Sequence, residues 1–229
     1  MAGIHRSILP AMTQERGAPP EGWEQMPTVQ LSGLPSAQRL ANLASIFQDL
    51  GLVIGCCDRL LDLLKSPDRD PILVEALWSA ALVAYVRCFG SGKRVGLDAE
   101  LVEQVGLEGE VKAWHEYLRG MRDKHIAHSV NPFETVLVGA VLTPPENDDR
   151  KVEGIAALSS KYITAAEEGV HQLRLLAIAL QRNVDESCRA QREKVWAEAK
   201  ELDITKLYEY PPLRINAPSN DQAGRPRPA

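Results

Sequence analysis

Apolar residues recur at helical spacing along most of the chain, and their pattern predicts long helices. The first predicted helix starts at Pro35 and Ser36 and continues until the segment SPDRDP interrupts the pattern. Its core stripe consists of Leu40, Leu43, Phe47, Leu50, Ile54, Leu61 and Leu64. A second helix is predicted from Pro71, which suits a first helical turn, to a stop at Gly90. Apolar residues nearly encircle this second helix, which predicts that it is the most buried one.

A third main helix is predicted from about Glu108 to His128, after a short helical piece near residues 98–104. The segment ETVLVGAVLTPPENDDRKVEGIAAL then changes character, because β-branched residues concentrate before a turn rich in Pro and Asp and apolar residues resume after it. It predicts a β-hairpin at about residues 134–158. The fourth long helix is predicted from about Thr164 towards residue 203. The predicted fold class is therefore mainly α: a bundle of about four long helices with a β-hairpin inserted before the last long helix.

The two ends of the chain differ in composition from the helical part. Residues 1–34 are rich in Gly, Pro, Gln and Glu without a sustained period, and they are predicted to form a flexible N-terminal arm. Residues 205–229 form a predicted Pro-rich C-terminal tail. The domain itself is predicted to span residues 35–204.

Charge and cysteine usage narrow the function classes. A formal net charge of −5 argues against a protein that coats nucleic acid with its whole surface, so any RNA site must be local. The four cysteines form no C-x-x-C pair, and they are predicted to be core thiols of a reduced, cytoplasmic protein. The chain has no run of 18 apolar residues and no N-terminal signal pattern, so no membrane association is expected.

Candidate chemistry is concentrated in YLRGMRDKHIAHSVNPFE, residues 117–134. On one helix, Arg122, His125 and His128 lie successively about 60° apart. His125 follows Met121 by four residues, which places it in line with the apolar stripe and favours a structural role. His128 would occupy the last turn, where it either satisfies free carbonyl groups or acts as a general acid or base.

Basic side chains form a predicted ridge beside this motif, and such a ridge is either a solvated helix face or a weak RNA-binding surface. The candidate RNA-binding residues are Arg119, Lys124, His125, Arg87, Lys93 and Arg94.

The sequence RDKHIAH, within a predicted helix end, resembles the motif of the HEPN superfamily. In that motif an Arg, usually followed by a polar residue, precedes a His by several positions. The matching residues here are Arg122, Asp123 and His128. The predicted layout is also similar, with long helices before the motif, a small insertion after it and a final long helix. Within the superfamily, it is most similar to bacterial members of phage-defence and toxin–antitoxin systems.

The resemblance implies metal-independent RNA cleavage at a site formed where two motif helices meet in a homodimer. The ribose 2′-OH would attack the adjacent phosphate, His128 would transfer protons, and Arg122 would stabilise the charge of the pentacovalent phosphate. Asp123 would orient Arg122 or His128. The implied partners are RNA, a second copy of the chain, and an antitoxin or other regulatory protein; no cofactor is implied.

Other interpretations compete with this one. Arg119 and His125 offer a second register of the motif, in which Gly120 takes the polar position. His125 and His128 alone lack the further ligands that a zinc site needs, and FGSGKR lacks the phosphate-binding loop pattern. The alternative from another class is a non-catalytic helical module that binds a protein partner or a nucleotide.

Overall fold

The computed structural model describes residues 26–31, 33–90, 94–126, 134–162 and 164–214, and of His125 it describes the backbone alone. In chain order the described elements are α1 (Pro35–Leu64), α2 (Pro71–Arg87), α3 (Leu101–Gln104), α4 (Val111–Met121), a π-helix (Arg122–Ile126), β1 (Glu134–Leu142), β2 (Val152–Lys161), α5 (Glu167–Lys200) and α6 (Ile204–Tyr208).

The predicted fold class is confirmed in its main features: the described chain is mainly helical, and an antiparallel hairpin precedes the long helix α5. The predicted number of helices is wrong, since the described residues form six α-helices. One reason is α6, where Asp203 caps a short helix by accepting a hydrogen bond from the backbone N–H of Thr205 at 2.9 Å. The other additional helix is α3, which lies within the short helical piece expected near residues 98–104. The third predicted helix is also shorter than expected, since α4 spans only Val111–Met121 before the backbone becomes π-helical.

The chain divides into two compact units. The first comprises Met1–Gln48, Lys93–Val95 and Gln181–Ala229, and the second comprises Asp49–Gly92 and Gly96–Leu180, so that α1 and α5 contribute to both. Within the first unit, an isolated antiparallel bridge joins Val29 to Pro212. Val29 belongs to the predicted N-terminal arm and Pro212 to the predicted C-terminal tail, so these parts of the two arms pair with each other.

The second unit contains a core built by α1, α2, α4 and α5. Helix α2 begins after Asp70, whose carboxylate accepts hydrogen bonds from the N–H groups of Ile72 and Leu73, and Pro71 occupies its first turn. The fully buried side chains include Val53, Leu60, Ala81, Leu82, Tyr85, Leu118, Leu173, Ala177 and Leu180. The motif segment thus follows a helix that is anchored in this core.

One glycine fixes the path from α2 towards α4. A Cβ atom at Gly96 would lie 2.6 Å from the carbonyl oxygen of Gly90 and 2.8 Å from the carbonyl carbon of Phe89, closer than real contacts allow. Next to it, the N–H of Leu97 donates to the carbonyl oxygen of Cys88 at 2.8 Å. Because the chain must pass this close to the end of α2, the position accepts only glycine without displacement.

The four cysteines are buried and form no disulfide, as the sequence predicts for core thiols. Burial raises the pKa of Cys57 to about 12, and of Cys188 to about 11. Both thiols are therefore protonated and poorly nucleophilic near neutral pH.

By length and composition alone, α1 is apolar enough to cross a membrane, although it contains no uninterrupted apolar run of that length. The core helix of a soluble protein passes the same test, and Ile46, Leu50 and Val53 of α1 are almost completely buried here. The cytoplasmic location and the lack of membrane association stay predictions.

Candidate functional site

The candidate motif begins where α4 changes into a π-helix. Leu118 and Met121 of α4 are buried and hold its last turn in the core. The next five residues, Arg122–Ile126, have π-helical hydrogen bonding. A π-helical turn inside or at the end of an α-helix is frequent at functional sites, because it rotates the following side chains out of the regular pattern. The local geometry therefore sets Arg122 and Asp123 apart from the core stripe that precedes them.

Arg122 and Asp123 contact each other directly. A guanidinium N–H of Arg122 donates to Oδ1 of Asp123 at 2.8 Å, and the two side chains are 42% and 54% exposed. A pair with this exposure contributes little to stability. It does orient the guanidinium, whose five N–H donors leave capacity for a phosphate after one bond to Asp123. Asp123 was predicted to orient either Arg122 or His128, and the structure shows its contact with Arg122.

The side chains of the two motif histidines lie outside what the structure describes. The backbone of His125 belongs to the π-helix, but its side chain is not described. His128 and Lys93 lie outside the described residues. The predicted division of labour between Arg122 and His128 therefore stays a prediction.

Two of the candidate RNA-binding residues extend the exposed basic surface of the motif. Arg119, on α4, lies one turn before Arg122, and Lys124 follows Arg122 in the π-helix. The side chains of Arg119 and Lys124 are exposed. Side chains three residues apart on a helix are neighbours. Arg119 and Arg122 can therefore face the same polyanion.

The remaining two candidates are held by contacts of their own. Arg87 binds Asp49 through two hydrogen bonds, one of them from Nε at 3.0 Å, and Asp49 is a buried residue of α1. This hydrogen bond to Asp49 is the main reason why the pKa of Arg87 is raised. Arg94, in the first unit, donates to Oγ of Ser45 at 2.9 Å. Both arginines therefore have structural roles, whatever else they bind.

A buried polar pair, which the sequence pattern did not predict, joins α4, the helix that leads into the motif, to α2. Tyr85 of α2 and His115 of α4 are buried, and the Tyr85 hydroxyl lies 2.7 Å from Nδ1 of His115. The ring of Phe89 meets the imidazole edge-to-face at 4.5 Å between centroids. Nε2 of His115 is buried and has no hydrogen-bond partner among the described residues. The available signal was position, since His115 lies three residues before Leu118 on the core stripe.

The charge state of this pair follows from its surroundings. Burial lowers the pKa of His115, the nearby positive charge of Arg119 lowers it further, and Glu116 acts in the opposite direction. Burial also raises the pKa of Tyr85, well above the physiological range. Both side chains are therefore neutral at pH 7, and the contact is a neutral hydrogen bond inside the core.

A groove of about 870 Å³ opens on another side of α4. Trp114 and Tyr117 line it and stack on each other, with ring centroids 5.1 Å apart and an angle of 16° between the planes. Gly169 of α5 allows this packing, since a Cβ atom there would lie 3.3 Å from the indole ring of Trp114. The exposed carboxylates of Glu108 and Glu110 also line the groove, so it is poorly suited to a phosphate backbone.

Among the residues that the structure describes, no three His, Cys, Asp or Glu side chains are close enough together to hold a metal ion. No protein-family model, curated protein or solved structure matches this chain. The resemblance to the HEPN superfamily accordingly depends on the residues of the motif and their position in the chain.

Proposed function

We propose that this chain is a HEPN-like, metal-independent endoribonuclease that acts as a homodimer. The observation that carries the proposal is the exposed contact between Arg122 and Asp123, at the point where a core-anchored helix becomes π-helical. A planar guanidinium held by a carboxylate is well suited to a phosphate whose charge increases in the transition state. The HEPN-like arrangement of the helices in one bundle belongs to the proposal as well.

The proposed reaction is a transesterification within the RNA strand. The ribose 2′-oxygen attacks the adjacent phosphorus, and the bond from phosphorus to the 5′-oxygen breaks. His128 transfers protons between these two oxygens, which suits a group that titrates near neutral pH. Arg122 stabilises the negative charge of the pentacovalent phosphate. The products are a 2′,3′-cyclic phosphate and a 5′-OH.

The basic residues around the motif provide the local attraction that an acidic protein needs to bind RNA. Arg119 and Lys124 are exposed on the same segment as Arg122. Each phosphate that they neutralise releases counterions, so binding is expected to weaken as salt increases. In this proposal the protein acts in the cytoplasm as a toxin or phage-defence effector, controlled by an antitoxin or other regulatory protein.

Cleavage of a mixed RNA by the purified chain in the presence of EDTA tests the proposal. We expect new 5′-OH ends that a polynucleotide kinase labels, and no cleavage of DNA of the same sequence, because DNA lacks the attacking 2′-OH. Arg122→Ala and His128→Ala are expected to abolish cleavage. Arg150→Ala is the matched control, since Arg150 is an exposed arginine in the hairpin turn. Loss of activity on chelation, or full activity in both motif variants, would exclude this mechanism.

The second candidate function is a non-catalytic module that binds a protein partner or a nucleotide. It is favoured by the stacked Trp114 and Tyr117 in an open groove, because grooves lined by aromatic side chains commonly bind proline-rich segments. This function predicts that the chain cuts no RNA and that Trp114→Ala weakens binding of its ligand. The cleavage assay distinguishes the two functions directly.

A further inference from the structure

The hairpin of β1 and β2 exposes apolar side chains on both of its faces. Residues directly opposite each other in an antiparallel pair share a face, so the register assigns each side chain to one of two faces. The valine face carries Val136, Val138, Leu142, Val152 and Ile155, which are 60–72% exposed. The leucine face carries Leu137, Val141 and Leu158.

The exposed apolar side chains of such a hairpin are expected to pack against another surface. An isolated two-stranded hairpin is marginally stable in water, and its open edges pair readily with other strands unless charges or prolines protect them. The charged residues within these strands are Glu134, Glu153 and Lys161, near the ends, and the strands contain no proline. Lys161 ties the base of the hairpin to Glu75 of α2 at 2.5 Å. The apolar middle has no comparable attachment among the described residues, since its side chains are exposed.

We propose that the valine face is an interaction surface for the same face of a second copy of this chain. Its five large side chains each offer on the order of 100 Å² of apolar surface. Two such faces together bury about 1,000 Å², the lower bound for a stable specific interface. The leucine face, with three large side chains and Gly139, Gly154 and Ala156 between them, offers much less.

The relief of the valine face is self-complementary. Val136 and Val138 on β1 lie opposite the smaller Ser159 and Ala157, whereas the order is reversed at the next pair, where Ala140 lies opposite Ile155. The large side chains therefore change from β1 to β2 between the second and the third pair, and at the fourth pair, Leu142 and Val152, both side chains are large. Two copies related by a two-fold axis can interdigitate them, as the facing sheets of a β-sandwich do.

The charges favour a second copy over a lipid surface. At the base of the valine face, Lys161 lies 3.4 Å from Glu134, so the face carries a neutralised pair. The turn between the strands carries three exposed carboxylates, of Glu146, Asp148 and Asp149, against two exposed basic side chains, Arg150 and Lys151, so it offers an anionic membrane no net attraction. Antiparallel stacking of two hairpins keeps these acidic turns at opposite ends of the interface.

Sedimentation velocity of the full chain at micromolar concentration, without RNA, tests this proposal. The wild type is expected to be a dimer, and Val138→Asp combined with Ile155→Asp is expected to be a monomer. The matched control is Leu137→Asp combined with Leu158→Asp, on the same strands but on the leucine face, and it is expected to remain a dimer. All four side chains are at least 64% exposed, so neither pair of changes should unfold the chain, which circular dichroism checks.

A second measurement covers the case in which these variants do not fold. Val138→Cys is expected to cross-link into a covalent dimer with a short bifunctional thiol reagent, whereas Leu137→Cys, on the leucine face, is not. The four native thiols are buried, so the reagent is expected to react with the introduced cysteine. A monomeric wild type, a valine-face variant that stays dimeric, or equal cross-linking of both cysteine variants would overturn the proposal. A monomer that floats with neutral lipid vesicles, or that binds a different protein through the valine face, would also overturn it.

This inference does not depend on RNA cleavage. A dimeric valine-face variant would contradict the proposed interface but would not contradict the proposed ribonuclease activity. A monomeric variant that still cuts RNA supports the surface and contradicts a composite site formed by two chains.

Discussion

The hydroxyl of Tyr85 and Nδ1 of His115 lie 2.7 Å apart, and this hydrogen bond joins α2 to α4 inside the core of the second unit. Burial lowers the pKa of His115 and raises that of Tyr85; Arg119, one turn further along α4, adds to the first shift and partly opposes the second. The candidate site at Arg122 is therefore built on a helix whose attachment to α2 includes a buried polar contact. Substitutions in this contact are expected to change the stability of the chain without altering the side chains of the motif.

Tyr85→Phe removes the hydroxyl and leaves Nδ1 of His115 buried without a partner. We expect a loss of about 1–3 kcal/mol in the free energy of unfolding, the usual cost of an unsatisfied buried polar group. Urea denaturation measures it. Tyr117→Phe is the control, because Tyr117 is 42% exposed and its change should stay within about 0.5 kcal/mol. Equal stability of the two variants would contradict the importance of the buried hydrogen bond.

The same histidine predicts how stability depends on pH. The pKa of His115 is lowered in the folded chain by burial and by Arg119, while in the unfolded chain it returns to about 6.5. Below that value the unfolded state binds a proton that the folded state does not, so the free energy of unfolding decreases as pH falls from about 6.5 towards the folded pKa. Above it, His115 contributes no pH dependence.

Urea midpoints measured between neutral pH and the onset of carboxylate titration check this dependence. His115→Phe, which cannot titrate, should show a shallower decrease than the wild type over the same range. His171→Phe serves as the control for the same change of side chain at an exposed position of α5. A wild type whose midpoint rises on acidification would contradict the direction of the pKa shift.

The contact between Arg87 and Asp49 predicts a structural cost at a residue that the sequence assigns to RNA binding. Arg87→Ala leaves the carboxylate of Asp49, whose side chain is 9% exposed, without its bidentate partner. We expect a destabilisation of about 2 kcal/mol, below the roughly 3–5 kcal/mol of fully buried pairs because the side chain of Arg87 is 56% exposed. Denaturation at fixed pH measures it.

Lys65→Ala is the matched control for Arg87. Lys65 pairs with Asp62 at the end of α1, but both side chains are about two-thirds exposed, at 67% and 66%. An exposed pair of this kind contributes at most about 1 kcal/mol. If Arg87→Ala were as stable as Lys65→Ala, the burial of Asp49 would not matter, and a loss of RNA binding in Arg87→Ala could then be assigned to RNA contact.

The helix starts were predictable because they depend on local chemistry. Pro35 and Pro71 begin α1 and α2 as expected, since proline suits the first turn of a helix and little else in a helical segment. The hairpin was predictable for a similar reason, because β-branched residues concentrate before a Pro- and Asp-rich turn and apolar residues resume after it. Its two exposed faces were not, since burial depends on what the strands pack against, and neither strand alternates between apolar and polar residues.

The candidate site was predictable only in part. Helical periodicity continues through Arg122 without a break in sequence, so the change to a π-helix carries no signal in the residue pattern. Tyr85 and His115 lie 30 residues apart in the chain, and their contact exists only because α2 packs against α4. The available signal was a polar residue, His115, on the core stripe of α4. It identifies His115 but not its partner Tyr85.

The last prediction concerns the guanidinium of Arg122 itself. Arg122→Lys keeps the positive charge but loses the planar fork that can bind a phosphate and Asp123 together. If the chain cleaves RNA as proposed, we expect kcat/KM to fall roughly 100-fold, mostly through kcat, because the lost hydrogen bonds strengthen in the transition state. The free energy of unfolding should stay within about 0.5 kcal/mol of the wild type, since the contact with Asp123 is exposed. Arg150→Lys, in the hairpin turn, should change neither quantity. A fall in activity that appears only in KM would indicate that Arg122 binds RNA without stabilising the reacting phosphate, and unchanged activity would remove it from the site.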